Sequence, residues 1–127
     1  MPTSRDQKNR TTFSRAFNTA AITTNTTTNG TGIDVSDKSS LTFVFTLAGF
    51  TDGTYTPNIQ ESNDDSTYTD IAAANLIGTE AAAALTTNGI SSIGCHTFQK
   101  YVRAQIISSG TTTGATGMQA TLAATKS

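Results

Sequence analysis

Threonine is the feature of this sequence that most restricts its fold. The chain holds 27 threonines and 12 serines among 127 residues, so almost a third of its side chains carry a small hydroxyl. A β-branched side chain loses freedom in a helix and packs well on a pleated strand, so this content favours extended backbone. Leu, Ile, Val and Phe contribute only 23 residues, while the formal net charge of −1 is too small to indicate disorder. The sequence therefore predicts a single all-β domain with a thin core.

Turn signals divide the chain into short segments of alternating hydrophobicity. The Asn-Gly and Asp-Gly pairs at positions 29, 52 and 88 mark turns between strands. The clearest strand covers residues 41–48, and its apolar face consists of Leu41, Phe43, Phe45 and Leu47. Residues 55–62 follow the turn at position 52, so a hairpin between these two strands is expected. Pro57 cannot donate to a ladder, which places it at an edge or a bulge.

The remaining segments complete an antiparallel sandwich. Residues 62–67 are predicted to form a polar turn, and residues 78–85 one helical turn within a long loop. Two more strands are expected over residues 96–108 and 117–125. About seven or eight strands without a convincing helix are typical of a two-sheet antiparallel β-sandwich, and we expect jelly-roll connectivity.

The N-terminal segment differs in charge from the rest of the chain. Residues 1–20 contain four basic residues and only Asp6 as an acid, so we predict an extended basic arm over 1–20 and a β-sandwich domain over 21–127. The residues expected to anchor this arm on a partner are Phe13, Phe17, Arg10 and Arg15. A frayed tail is the alternative interpretation of the same segment.

Residues with catalytic or metal-binding chemistry are scarce. A single cysteine excludes an intramolecular disulfide, and Cys95 and His96 are expected on opposite faces of a strand, with Cys95 packed as a buried apolar group. Four acidic residues lie around one turn and carry the oxygen ligands that calcium uses: Glu61, Asp64, Asp65 and Asp70. Their spacing departs from that of a calcium-binding loop, and the hydrogen bonding of Asn and Asp side chains in a turn explains their presence. We therefore predict no enzymatic activity, no cofactor and no metal.

Charge and hydropathy bear on the classes of partner. With 13% charged residues and a pI near 5.6, the chain lacks the broad basic face of a nucleic-acid binder. Lys100, Tyr101 and Arg103 include a basic-aromatic pair that can stack on bases or sugars, although an exposed strand face with Arg103 paired to an acid is the favoured interpretation. No apolar stretch is long enough to span a membrane and no secretory signal is evident, so synthesis in the cytoplasm is expected.

Several segments resemble a family of small virion proteins. They are Pro57–Asp70, Leu76–Thr79, Ile93-Gly94 and Gln99–Gly110, and they are similar to proteins encoded beside the major capsid protein in tailed bacteriophages. Some of those proteins are capsid cement or decoration proteins. The resemblance covers about residues 41–125 and rests on turn and strand patterns without a catalytic motif.

The resemblance implies a function in surface contact. It implies a jelly-roll-like sandwich that forms a homo-oligomer, with a trimer favoured, and that binds the major capsid protein on the outside of the capsid. Direct nucleic-acid binding and membrane binding are not expected. Two alternatives remain open: a head-to-tail or tail component of the same virion, and a carbohydrate-binding β-sandwich module, which would need an exposed aromatic platform.

Overall fold

The computed structural model describes residues 11–77, 84–97 and 99–126. These residues contain no α-helix, and one 3₁₀ helix spans Ala73–Asn75. The ten strands are β1 (Thr11–Ile22), β2 (Thr27–Asn29), β3 (Ile33–Asp34), β4 (Lys38–Leu47), β5 (Gly49–Phe50), β6 (Thr54–Ser62), β7 (Thr69–Asp70), β8 (Gly89–Cys95), β9 (Tyr101–Ser109) and β10 (Ala115–Lys126). The helical turn predicted over residues 78–85 lies largely outside the described residues.

The strands form two antiparallel sheets that pack face to face. Sheet A has the order β1-β10-β4-β8, with β5 also pairing with β10. Sheet B has the order β2-β9-β6-β7, with β3 also pairing with β9. The long strands pair in a nested way, because β1 pairs with β10, β2 with β9, β4 with β8 and β6 with β7. This is the connectivity of a jelly roll, so the predicted fold class is confirmed.

The core lies between the two inner faces. The apolar face predicted for the strand at 41–48 is confirmed, since all four of its large side chains are buried in β4. Opposite them, β6 and β9 bury Tyr55, Ile59, Val102, Ala104 and Ile106. On β10 the buried side chains are Ala115, Met118, Ala120, Leu122 and Ala124, and from Met118 onward larger residues alternate with alanine beside β4. The two sheets therefore enclose one core, to which the described residues contribute 22 buried apolar side chains, most of them larger than alanine.

The structure corrects the predicted hairpin of β4 with β6 and confirms the predicted position of Pro57. β4 and β6 do not form the expected hairpin, because β4 belongs to sheet A and β6 to sheet B. The turn at Asp52-Gly53 instead carries the chain from one sheet to the other. Pro57 pairs with Ile106 of β9, while β7 pairs only with Gln60 and Glu61. At Pro57, β6 therefore pairs with β9 alone, so Pro57 lies at a local edge of sheet B, as predicted.

The N-terminal arm predicted over residues 1–20 is wrong in its boundary. Residues from Thr11 onward form β1, which pairs with β10 along its whole length, whereas residues 1–10, including Arg10, lie outside the described residues. The register shifts between Arg15 and Phe17, so Ala16 is the extra residue of a β-bulge. Without the bulge, Phe13 and Phe17 would point to the same side of the strand. The bulge turns Phe17 into the core, where it is 4% exposed, and leaves Phe13 69% exposed outside.

A short segment after β2 joins the two sheets at this bulge. The N–H of Gly30 donates to the Ala104 carbonyl of sheet B at 2.7 Å, and the N–H of Thr31 donates to the Ala16 carbonyl of sheet A at 3.0 Å. A Cβ at Gly30 would lie 2.1 Å from the Ala16 carbonyl oxygen, which is far inside van der Waals contact. Glycine is therefore required here for the close approach of three backbone segments.

Candidate functional surfaces

The Cys95–His96 pair does not form a reactive centre. Cys95 is buried on the inner face of β8, as predicted. Burial, with a smaller contribution from the charge of Glu61, raises the pKa of the Cys95 thiol to about 12. The thiol therefore stays protonated near neutral pH and is a poor nucleophile. The backbone N–H of His96 donates to the Asn75 carbonyl at 3.0 Å, which ties the end of β8 to the 3₁₀ helix.

The four acidic residues singled out by the sequence do not converge on one point. Asp64 accepts hydrogen bonds from the backbone N–H groups of Thr67 and Ser66, which lower the pKa of its carboxyl. Asp65 accepts one from the Tyr68 hydroxyl, and Glu61 accepts one from the Thr97 hydroxyl. Asp70 accepts two hydrogen bonds from side-chain amides of β6, those of Asn58 and Gln60. Among the described residues, no three His, Cys, Asp or Glu side chains are arranged to hold a metal ion.

The outer face of sheet A is built from small and β-branched residues. Its rows across the strands are Phe13, Ala123, Thr42 and Gly94; Arg15, Thr121, Val44 and Ser92; and Gln119, Thr46 and Ile90. Ile77 lies against Gly94, because a Cβ added there would be 3.2 Å from the Cβ of Ile77. Phe13, Ile77 and Ile90 are 69%, 63% and 73% exposed, respectively. Large apolar side chains are therefore exposed at opposite edges of the sheet, with Phe13 on β1 at one edge and Ile77 and Ile90 at the β8 edge.

Charge is distributed unequally between the sheets. The five strands of sheet A contain no acidic residue and three basic ones, Arg15, Lys38 and Lys126. The strands of sheet B contain three acidic residues and a single basic one, Arg103. Arg15 is exposed and forms no ion pair within the part of the chain that the structure describes. The outer face of sheet A therefore combines small and hydroxyl side chains with a few exposed large apolar ones, and its charge is weakly positive.

Planar polar side chains form a hydrogen-bonded network on the outer face of sheet B. Gln105 donates to Asn29 at 2.8 Å, and Asn58 donates to both Gln105 and Asp70 at 2.9 Å. Gln60 also donates to Asp70 at 2.9 Å. These hydrogen bonds lower the pKa of the Asp70 carboxyl, with Gln60 contributing more than Asn58. The network thus crosses sheet B from β2 to β7.

Arg103 extends this network, but it forms no ion pair with an acid of the described residues, contrary to the prediction. Its Nε donates to Gln60 Oε1 at 2.9 Å, and its guanidinium lies 4.1 Å from the centre of the Tyr68 ring. Tyr101 is contacted by Lys100, whose Nζ lies 5.4 Å from the ring centre. The sequence identified the basic-aromatic segment but not the amides beside it, because strand register decides which residues meet.

One open cleft of about 360 Å³ lies where the connections between strands meet at one end of the sandwich. Its lining consists of Val35, Ser36, Lys38, Asn63, Thr97, Gln99 and Lys100. Lys38 pairs with Asp37 at 3.0 Å, so one of its two lysines already has a partner. The sequence analysis did not identify this cleft, because its residues come from three separate connections.

Comparisons with protein-family models, curated proteins and solved structures give no match to this chain. Within the described residues, no helix is long and apolar enough to cross a membrane. The function proposed below therefore rests on the sequence pattern and on the two sheet surfaces.

Proposed function

We propose that this chain is a structural virion protein that binds the outer surface of a bacteriophage capsid and reinforces it as a cement protein. The observation that supports the proposal is the outer face of sheet A, where large apolar side chains are exposed on a surface without acidic residues. A partially apolar patch of this kind is typical of a protein-protein contact. The partner in this proposal is the major capsid protein.

The positive charge of sheet A restricts which kind of capsid surface it can contact. Arg15 has no ionic partner in the described residues, and the segment before β1 contains Arg5, Lys8 and Arg10 against Asp6. An acidic or neutral capsid surface would match this face, whereas a basic one would repel it. Exposed ion pairs contribute only ~0–1 kcal/mol each, so most of the binding energy must come from Phe13 and the isoleucines.

The size of the face favours an oligomer on the capsid. With strands ~4.8 Å apart and ~3.4 Å per residue, the four long strands offer roughly 670 Å² in projection. A standard protein interface takes about 800 Å² from each partner, so even the whole face of one copy falls short of a standard interface. A homo-oligomer, with a trimer favoured, would present several such faces to a symmetric capsid and gain affinity through multivalency.

A co-sedimentation experiment tests this function directly. Particles of the parent bacteriophage stripped of this protein are mixed with the intact chain or with the double variant Phe13→Ser/Ile90→Ser. Both side chains are exposed, so the variant should keep its urea midpoint. Loss of two large apolar contacts should reduce capsid affinity by about tenfold or more.

The matched control is Ile107→Ser, which removes an exposed isoleucine from sheet B. It should decorate the particles as the intact chain does. Equal binding by the intact chain and the double variant would show that sheet A is not the capsid face. Failure of the intact chain to bind particles, or a reconstruction that places it along the tail axis, would refute the cement function.

A further inference from the structure

The network on sheet B has unused hydrogen-bonding groups of both kinds. Both amide bonds to Asp70 go to Oδ1, so Oδ2 has no hydrogen bond within the described residues. Only Nε of Arg103 donates to a described residue, which leaves the two Nη groups available. Asn29 accepts from Gln105 through its carbonyl oxygen, and its NH₂ group donates no hydrogen bond to a described residue. Donors and an acceptor therefore lie side by side on one surface.

These groups are held in place by their neighbours. Gln105 is only 8% exposed, and it is hydrogen-bonded to Asn29 and Asn58 at the same time. The guanidinium of Arg103 is fixed by Gln60 on one side and by the Tyr68 ring on the other. These side chains lose their rotamer entropy when the protein folds. A ligand that binds there therefore loses little further side-chain entropy on binding.

The mixture of charges on this face restricts the chemical class of ligand. Asp65 and Asp70 flank the site and disfavour an anion, while Arg103 disfavours a cation. Hydroxyl groups act as donors and acceptors together, so a polyhydroxylated neutral molecule can use a carboxylate oxygen and a guanidinium in one contact.

An apolar contact borders the same surface. Ile107 follows Gln105 by two residues on β9, so the two side chains share a face, and Ile107 is 40% exposed. Beside it in the register lie Thr27 and Thr56, which add hydroxyl groups. A sugar ring presents C–H groups on one side and hydroxyls at its rim. Ile107 supplies the apolar contact that an aromatic platform was expected to supply, and the row of amides lies beside it for the hydroxyls.

We propose that the outer face of sheet B binds a neutral oligosaccharide through the amide network, Arg103 and Asp70. The site lies on the opposite side of the sandwich from the face assigned to the capsid. A capsid-bound copy would therefore present it to the surroundings, but sugar binding itself does not depend on capsid binding.

Affinity electrophoresis provides the test, with the intact chain run through gels that contain dextran, mannan or a neutral galactan. Polygalacturonate and heparin gels serve as acidic probes. At least one neutral polysaccharide should retard the intact chain. Asp70→Ala and Arg103→Ala should each weaken that retardation by about tenfold, and Asp70→Asn, which keeps an acceptor, should recover part of it.

A second readout separates ligand contact from a structural role. In NMR spectra, the side-chain NH₂ signals of Asn29, Asn58, Gln60 and Gln105 should shift when the retarding polysaccharide, as short oligosaccharides, is added. The sheet A variant Phe13→Ser/Ile90→Ser should bind sugar normally even if it fails on capsids. Retardation by none of the neutral gels, retardation by the acidic gels alone, or shifts confined to sheet A would overturn the proposal.

Discussion

Phe17 and Phe13 lie four residues apart on β1, yet the bulge at Ala16 predicts very different effects of replacing them. Phe17 is 4% exposed and belongs to the core, while Phe13 is 69% exposed on the outer face. In the register, Phe17 lies opposite Ala120, whose small side chain cannot fill a cavity beside it. The Phe17→Ala variant should therefore lose ~3–5 kcal/mol of unfolding free energy. The Phe13→Ala variant should lose less than about 0.5 kcal/mol.

Urea denaturation of the two variants measures this difference. If the slope is about 1.5 kcal/mol per molar urea, Phe17→Ala should lower the midpoint by roughly 2–3 M, and Phe13→Ala should leave it nearly unchanged. Should Phe17→Ala fail to fold, Phe17→Leu keeps most of the volume and is expected to lose less stability than the alanine variant. Similar losses for Phe17→Ala and Phe13→Ala, or a larger loss for Phe13→Ala, would show that the bulge does not separate the two faces.

Three further predictions concern a close approach, a carboxylate and a thiol. The Gly30→Ala variant should place its Cβ against the Ala16 carbonyl and break the backbone hydrogen bonds that Gly30 and Thr31 donate. Its unfolding free energy, measured from the urea midpoint, should fall by roughly 1–3 kcal/mol. Backbone N–H groups, with Gly114 contributing most, lower the pKa of Asp52 below its ordinary value of 3.8. The ionised Asp52 carboxylate therefore stabilises the fold above pH 3.8, and this stabilisation is lost as pH falls through the lower pKa of the folded protein. The urea midpoint of Asp52→Asn should therefore fall less between neutral and acidic pH than the midpoint of the unchanged protein. Alkylation of Cys95 by iodoacetamide at pH 8 should be at least about tenfold slower in the folded protein than in denaturant, and equal rates would contradict its burial.

The parts of the fold that follow from local pattern could be predicted from the sequence. The alternation from Leu41 to Leu47 identified the central strand and its buried face, because side chains alternate strictly on a regular strand. The bulge at Ala16 could not be predicted, since an extra residue in a strand leaves no distinct pattern in this segment. As a result, Phe17 was assigned to an anchoring arm when it belongs to the core.

The candidate surfaces depend on which strands become neighbours. β8 was not identified as a strand, so the exposed side chain of Ile90 was not recognised as part of a surface. Likewise Asn29, Asn58 and Gln105 are far apart in sequence and meet only because β2 and β6 both pair with β9. A single sequence contains no direct signal for such a register, whereas the Arg103 segment was visible because its residues are adjacent.

The position of β10 in the middle of sheet A has a consequence for how the protein is made. β10 is synthesised after every other strand, yet it lies between β1 and β4 and is paired with both. Until its residues leave the ribosome, β1 has no ladder partner and β4 has only β8. Closing the pair of β1 with β10 also joins residues that are 114 positions apart in sequence at Thr11 and Thr125, which makes folding slow for a domain of this size. The nascent chain therefore carries unpaired edges until β10 has been made, and loss of this strand alone should leave an aggregating product instead of a smaller sandwich.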